Sequence, residues 1–275
     1  MSDLRINNLD QSPGLFTKDN THYSISGSEG PYVIFIHGVG LCKEIWKPQV
    51  EYFSKAYRVV TYDFLGHGLS PSSRKTPTID DYVEQLNELV ESINISTFSL
   101  VGHSMGAIIS VAYSLKYSNK INALIPLNIV YKRSTNAREE VLKRANMILK
   151  TGEIGNIEQT MSRWFKNKIQ ADHSKKIMRV RQLLSDAPPK GYGDAYMLFA
   201  ESDSIFENML HNLRTPILYL TGSDDPNSNP RMSQEMANES PNGLSRSIDN
   251  EAHMMAYIAP DKVNPIINGF LEENG

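Results

Sequence analysis

A serine hydroxyl is a weak nucleophile until a base removes its proton and the backbone carries its oxygen clear of neighbouring side chains. Gly102-His103-Ser104-Met105-Gly106 has the residue types for the second requirement. A serine set directly between a strand and a helix occupies a turn so sharp that side chains two residues before and two after would collide. Glycine at both flanks removes that collision, and Ala107 keeps the next turn of helix slim. Ser104 is then pushed beyond the strand ends, over a helix N-terminus whose free N–H groups and dipole favour developing negative charge. The chemistry that such a serine would do is acyl transfer.

The base must be a histidine and the histidine needs an orienting acid. Of seven histidines, His37, His67 and His103 belong to turns with other work, His22 lies in an N-terminal strand region, and His173 and His211 fall in a long mid-chain insertion. His253 alone follows the last strand and precedes the terminal helix, late in the chain. The acid should end the strand before it, where Gly222-Ser223-Asp224-Asp225-Pro226 offers two adjacent aspartates, either of which could reach His253. The preceding sheet strand ends near Leu127-Asn128 with no acid. Cys42, the single cysteine, has no base arranged around it and reads as a small filler beside a loop.

These residues need a scaffold that brings strand ends together. Tyr32–Ile36, Tyr57–Tyr62, Phe98–Val101, Ile121–Ile125 and Pro216–Thr221 are short apolar, β-rich runs, with a weaker one over Leu244–Ile248. Helical patterns separate them: Ile79–Ile93 with Tyr82, Leu86, Leu89, Val90 and Ile93 at helical spacing, then Met105–Tyr117, Pro230–Asn238 and Val263–Leu271. Strands alternating with helices predict an α/β fold, a mainly parallel sheet flanked by helices on both faces. The rhythm breaks from about Tyr131 to Asn212, where polar helical patterns run without a convincing strand. A structureless loop of that size is improbable. Residues 1–130 and 213–275 are therefore expected to form the core, with 131–212 a helical lid insertion over the carboxyl edge of the sheet, the edge where open α/β sheets bind ligands.

Composition narrows the rest. A hydrophobic share of 40% and a charged share of 21% suit a folded globular chain of 275 residues. The net charge of −3 gives no reason to expect nucleic acid. No stretch approaches the roughly 18 apolar residues of a membrane span, and Met1–Asn8 has no apolar run of a signal peptide. The expectation is a cytoplasmic protein with no membrane association, no metal and no organic cofactor, since no histidine and carboxylate cluster shows ligand spacing.

Four segments in order, His37-Gly38-Val39-Gly40, Asp63-Phe64-Leu65-Gly66-His67-Gly68-Leu69-Ser70, Gly102-His103-Ser104-Met105-Gly106 and Gly222-Ser223-Asp224-Asp225, resemble the α/β-hydrolase superfamily. The likeness covers nearly the whole chain outside the insertion. It implies a Ser104, Asp225 and His253 triad, because the acid of that family stands three residues after the strand-ending glycine, and an oxyanion hole made by the backbone N–H groups of Val39 and Met105. It also implies structural roles for Asp63 and His67. Within the superfamily the chain is most similar to small carboxylesterases, enol-lactone hydrolases and carbon–carbon bond hydrolases. Serine at position 104 argues against the dehalogenases and epoxide hydrolases, which use aspartate.

The function expected is hydrolysis of a small-molecule carboxylic ester or lactone through an acyl-enzyme on Ser104. The rivals are a carbon–carbon bond hydrolase acting on a vinylogous diketone, an acyltransferase, and a ligand receptor that keeps its triad. Substrate contacts are expected from Trp164, Phe165 and Met197, with Met147, Met161 and Phe199 as further candidates in the insertion. Its basic run from Lys132 to Arg181 suits an anionic substrate such as a carboxylated enol-lactone, or else a solvated surface offset by Asp186, Asp194, Glu201, Asp203 and Glu207.

Overall fold

The computed structural model describes residues 14–166 and 174–275; His173 lies outside them. Eight strands form one sheet: β1 (Leu15–Phe16), β2 (His22–Ser26), β3 (Tyr32–Ile36), β4 (Arg58–Tyr62), β5 (Phe98–His103), β6 (Ile121–Leu127), β7 (Ile217–Gly222) and β8 (Gly243–Ile248). Their spatial order is β1-β2-β4-β3-β5-β6-β7-β8, with β1, β2 and β4 paired antiparallel and every later pair parallel. The parallel strands are covered on both faces, so they read in sequence as unbroken apolar runs rather than alternations. Val33, Ile34, Phe35 and Ile36 are fully buried, as are Leu100, Val101, Leu124 and Ile125.

The connecting helices are α1 (Lys47–Phe53), α2 (Ile79–Ser92), α3 (Met105–Lys116), α4 (Thr135–Thr151), α5 (Ile157–Phe165), α6 (Ser174–Asp186), α7 (Pro189–Glu201), α8 (Pro230–Glu239), α9 (Met255–Ile258) and α10 (Pro260–Asn274). Helix α2 starts at a reciprocal cap: Thr78 N donates to Asp81 Oδ2 at 2.7 Å. Its buried face carries Tyr82, Leu86, Leu89 and Val90, the residues its periodicity marks out. Strand β2 stands where the sequence places His22 in an N-terminal strand region, whereas helix α1 and the two-residue β1 have no counterpart in the sequence reading, being short and weakly patterned. The faint signal of β8 has a structural cause. It is an edge strand with three of its six residues exposed and only Ile248 buried, so little selects for apolar side chains.

One feature of the strand order positions the site. The chain leaves β3 for β4 on one side and then returns to β5 on the other, so the loops after β3 and β5 diverge and leave a crevice at their carboxyl ends. Ile36 pairs with Gly102, which sets His37 beside His103 at that edge.

Residues 131–212 contain α4–α7 and, among the described residues, no strand. The start and end of this stretch are tied together by Asp203, which accepts from Arg133 N at 3.2 Å and Arg133 Nη1 at 2.9 Å while its carbonyl accepts from Lys132 N at 3.1 Å. Helix α7 meets the body backbone to backbone: a Cβ on Gly191 would sit 1.9 Å from Gly66 O, and one on Gly66 would sit 2.5 Å from Gly191 Cα. Gly66 is therefore required by the insertion's packing as well as by its own left-handed φ of +74°. No helix among the described residues is long and apolar enough to cross a membrane.

Candidate active site

Ser104 sits between the last residue of β5 and the first of α3, with φ 55° and ψ −114°, a conformation that costs a non-glycine residue of order 1–3 kcal/mol. The strain is held by neighbours: Ser104 N donates to Leu127 O at 2.9 Å, and its own carbonyl accepts from Ala107 N at 3.0 Å. A Cβ on Gly102 would lie 2.2 Å from Gly106 O, the collision across the turn that the spacing predicts. Gly106 is constrained by something else. Its Cβ would strike the end of β3, 2.2 Å from Ile36 O and 2.5 Å from His37 O, so this glycine lets α3 start against the neighbouring strand.

His253 and Asp225 leave adjacent loops beyond β8 and β7. His253 Nδ1 donates to Asp225 Oδ2 at 2.7 Å, and both side chains are buried. That bond fixes the proton on Nδ1 and leaves Nε2 as the acceptor nitrogen. Asp225 also accepts from Asn227 N at 2.8 Å, Ser228 N at 3.2 Å and Asn128 Nδ2 at 2.8 Å. Burial by itself would raise this carboxyl, but the attraction of His253 and these hydrogen bonds hold it below the ordinary range of an aspartate. Asp224 faces another way. Its amide donates to Glu251 O at 2.9 Å and its carboxylate accepts from Ser223 Oγ at 3.1 Å. Of the two aspartates left open by position alone, the structure brings Asp225 to the histidine.

The loop after β3 is set by neutral histidines. His37 Nδ1 donates to Gly38 O at 2.8 Å, and its Nε2 accepts from Phe64 N at 3.2 Å. His67 Nε2 accepts from Gly40 N at 2.9 Å, which joins the Asp63–Ser70 loop to the His37–Gly40 loop. His103 Nε2 donates to His253 O at 2.9 Å. Burial pushes His37 down to about 4, and burial with a neighbouring histidine pushes His67 and His103 to about 3, so all three stay uncharged. Asp63 accepts from Lys43 N, Leu69 N and His22 Nδ1, the structural part that the resemblance implies. Val39 lies in the loop so fixed. Met105 opens α3, so its amide has no helical carbonyl to bond.

A cavity of about 330 Å³ opens above these groups. Gly38, Val39, Ser104 and His253 line its floor, and residues of α4, α5 and α7 line much of the rest, among them Arg144, Arg163, Trp164, Tyr196 and Phe199, with Arg231 of α8 beside them. The Trp164 ring lies 5.5 Å from that of His253, and Trp164 O accepts from Met254 N at 3.3 Å.

Residues 31–260 match the alpha/beta hydrolase fold family. The chain belongs to that family. Among its relatives, an (E)-2-((N-methylformamido)methylene)succinate hydrolase of Acinetobacter baylyi is 38% identical over 91% of this chain and 94% of its own length. The 3-oxoadipate enol-lactonase 1 of the same organism is 28% identical over 90% of this chain and 91% of its own. Among solved structures, the enol-lactonase of Burkholderia xenovorans superposes with a TM-score of 0.84 at 22% identity, covering 94% of this chain and all (100%) of that one.

Of the insertion residues expected to touch substrate, Trp164 and Phe199 line the cavity, but Phe165 and Met197 do not, which corrects those two expectations. Phe165 follows Trp164 by one position on α5, about 100° around the helix, and is fully buried in the apolar core. Met197 is half-buried on α7 away from the described lining, Met161 is buried in the core and Met147 is exposed. Cys42 is a buried thiol pushed up to about 12, first by burial and then by Asp63 and Glu44, so it is held protonated. Sequence reasoning missed Asn128. Its Nδ2 bonds Asp225, its backbone is left-handed at φ 52°, and it follows Leu127, whose carbonyl holds Ser104. The signal is present in part, since Asn128 stands at the end of β6, where an acid could otherwise serve the histidine. Arg144 and Arg163 were visible only as members of a basic run.

Proposed function

We propose that this protein is a serine hydrolase that cleaves a small acyl substrate through a covalent intermediate on Ser104. The observation that carries the reading is the 2.7 Å bond from His253 to a fully satisfied Asp225, beside a strained Ser104 that lines the same cavity as His253. In this reading His253 Nε2 takes the Ser104 proton as Oγ attacks the substrate carbonyl. The amides of Val39 and Met105 receive the oxyanion, and Asp225 holds the His253 tautomer and stabilises its imidazolium. The leaving group departs with the proton from His253. Water then adds to the acyl-enzyme with His253 again as base, releasing the acid and restoring Ser104.

The bond proposed first is an ester or lactone, supported by the 28% identical relative that bears the name of an enol-lactonase. A second reading, cleavage at an N-acyl group, is favoured by the 38% identical relative, whose named substrate carries an N-methylformamido group. The same serine chemistry serves both, because either route passes through a tetrahedral oxyanion.

The test is labelling with a fluorophosphonate probe together with turnover of p-nitrophenyl butyrate. Wild type should label and turn over, while Ser104→Ala and His253→Ala should lose about 10⁴-fold or more in kcat/KM with unchanged circular dichroism. Near wild-type turnover in Ser104→Ala would sink the proposal.

A further inference from the structure

The cavity wall carries more positive charge than its neighbours neutralise. Four arginines line it, Arg133, Arg144, Arg163 and Arg231. Two are already committed: Arg133 to Asp203 at 2.9 Å and Arg231 to Glu235 at 3.1 Å. Arg144 on α4 and Arg163 on α5 form no ion pair with any described carboxylate. Their described hydrogen bonds go to neutral oxygens, Arg144 Nη1 to Tyr196 Oη at 3.2 Å and Arg163 Nη2 to Thr160 Oγ1 at 3.3 Å. Arg163 Nε is buried with no hydrogen-bond partner among the described residues.

Two guanidinium groups that line one cavity repel one another, and half-burial strips water that would otherwise screen them. Burial first and Arg144 second both depress the Arg163 guanidinium. Glu140 also lines the cavity but is exposed, so it offsets part of this charge from the solvent side. A fold tolerates such an arrangement when an anion completes it. Tyr192 and Tyr196, whose rings stack at 5.7 Å and 9°, line the same cavity beside the arginines.

We infer that Arg144 and Arg163 form a carboxylate-binding subsite, so that the substrate is a small carboxylic acid whose scissile acyl group reaches Ser104 while its carboxylate is held between α4 and α5. This deepens the hydrolase reading and rests on it for the position of the scissile bond. The cavity, at about 330 Å³, is at the small end of ligand pockets, which span roughly 300–1,000 Å³, and suits a short-chain acid. Charge-assisted bonds from the two arginines would add to binding and fix which end of the substrate enters.

Two measurements test it and separate its failure from that of the hydrolase reading. The first needs no turnover: titration calorimetry of succinate against the uncharged succinamide on wild type, Arg163→Gln and Arg144→Gln. Succinate should bind about tenfold or more tightly than succinamide, and each variant should weaken succinate by a similar factor with near-ultraviolet dichroism retained. Arg163→Lys keeps the charge without the planar fork and should fall between. Succinate binding no tighter than succinamide, or unchanged in both glutamine variants, overturns the subsite. The second compares mono-p-nitrophenyl succinate with p-nitrophenyl butyrate. The kcat/KM ratio should favour the carboxylated ester, fall with added salt and fall about tenfold in Arg163→Gln. A ratio near one at low salt in an active wild-type enzyme also overturns it, whereas succinate binding without turnover of either ester leaves the subsite standing and removes the hydrolase reading.

Discussion

The floor and the wall of the cavity are built on opposite terms. On the floor, Ser104, Asp225 and His253 are 7%, 2% and 2% exposed, and both carboxylate oxygens of Asp225 have two partners each. The glycines beneath them allow backbone contacts that no side chain could replace. On the wall, Arg144 and Arg163 are half-buried and unpaired with any described carboxylate. Groups that pass protons need fixed geometry before the substrate arrives, since a misplacement of about 1 Å can cost about 100-fold. Groups that recognise charge can be left unsatisfied until the ligand supplies the partner. In the proposed reading, the difference separates the part of the molecule assigned to chemistry from the part assigned to substrate selection.

The largest expected effect breaks the floor at its acid. Asp225→Asn keeps the shape but cannot hold the same His253 tautomer, and kcat/KM for p-nitrophenyl butyrate should fall about 10³- to 10⁴-fold. Asp224→Asn, whose carboxylate meets only Ser223 among the described residues, should change it less than about threefold. Equal losses in the two variants would return the assignment to the ambiguity of the sequence.

A smaller effect sharpens the contrast by loosening the floor without removing a reacting group. Asn128→Ala deletes one of the hydrogen bonds that keep the Asp225 carboxyl low, so the carboxylate becomes easier to protonate. We expect kcat to fall about tenfold with KM little changed, and the acid limb of the pH profile to move to higher pH. Asn128→Asp, which places a second carboxyl beside Asp225, should move that limb further in the same direction. A KM effect with an unmoved profile would assign Asn128 to packing alone.

The smallest effect is on stability. His37, His67 and His103 are neutral in the fold, with values near 4, 3 and 3, but ordinary near 6.5 once unfolded. Between those limits the unfolded chain binds more protons than the folded one, so stability falls as the pH drops below about 6.5. Asp225 acts lower: its depressed carboxyl gives stability that is complete above the ordinary 3.8 and is lost as the pH falls through its folded value. Urea midpoints should therefore be flat from pH 8 to 7 and decline from pH 6.5 to 5. A midpoint unchanged at pH 5 would mean that these histidines are not held neutral by the floor.

The sheet, its order of strands and helices, and the residues at its carboxyl edge were legible in the sequence because each rests on a local rule. Buried parallel strands must be continuously apolar, as Tyr32–Ile36 is, and the turn at Ser104 must be flanked by residues without side chains. His253 was legible by position after the last strand. Other features depend on which surfaces meet, and local pattern does not carry that. Asp225 and Asp224 differ in direction by one residue, and only the bonds from Asn128, Asn227 and Ser228 decide which one turns inward. Trp164 and Phe165 are neighbours of one aromatic type, yet the phase of α5 sends one to the cavity and the other to the core. The basic run shows the same limit: its charges were countable, but which were already neutralised was not. Tertiary structure paired Arg133 with Asp203, 70 positions away, and left Arg144 and Arg163 facing the cavity, because ion pairing is set by distance in space while sequence records only order along the chain.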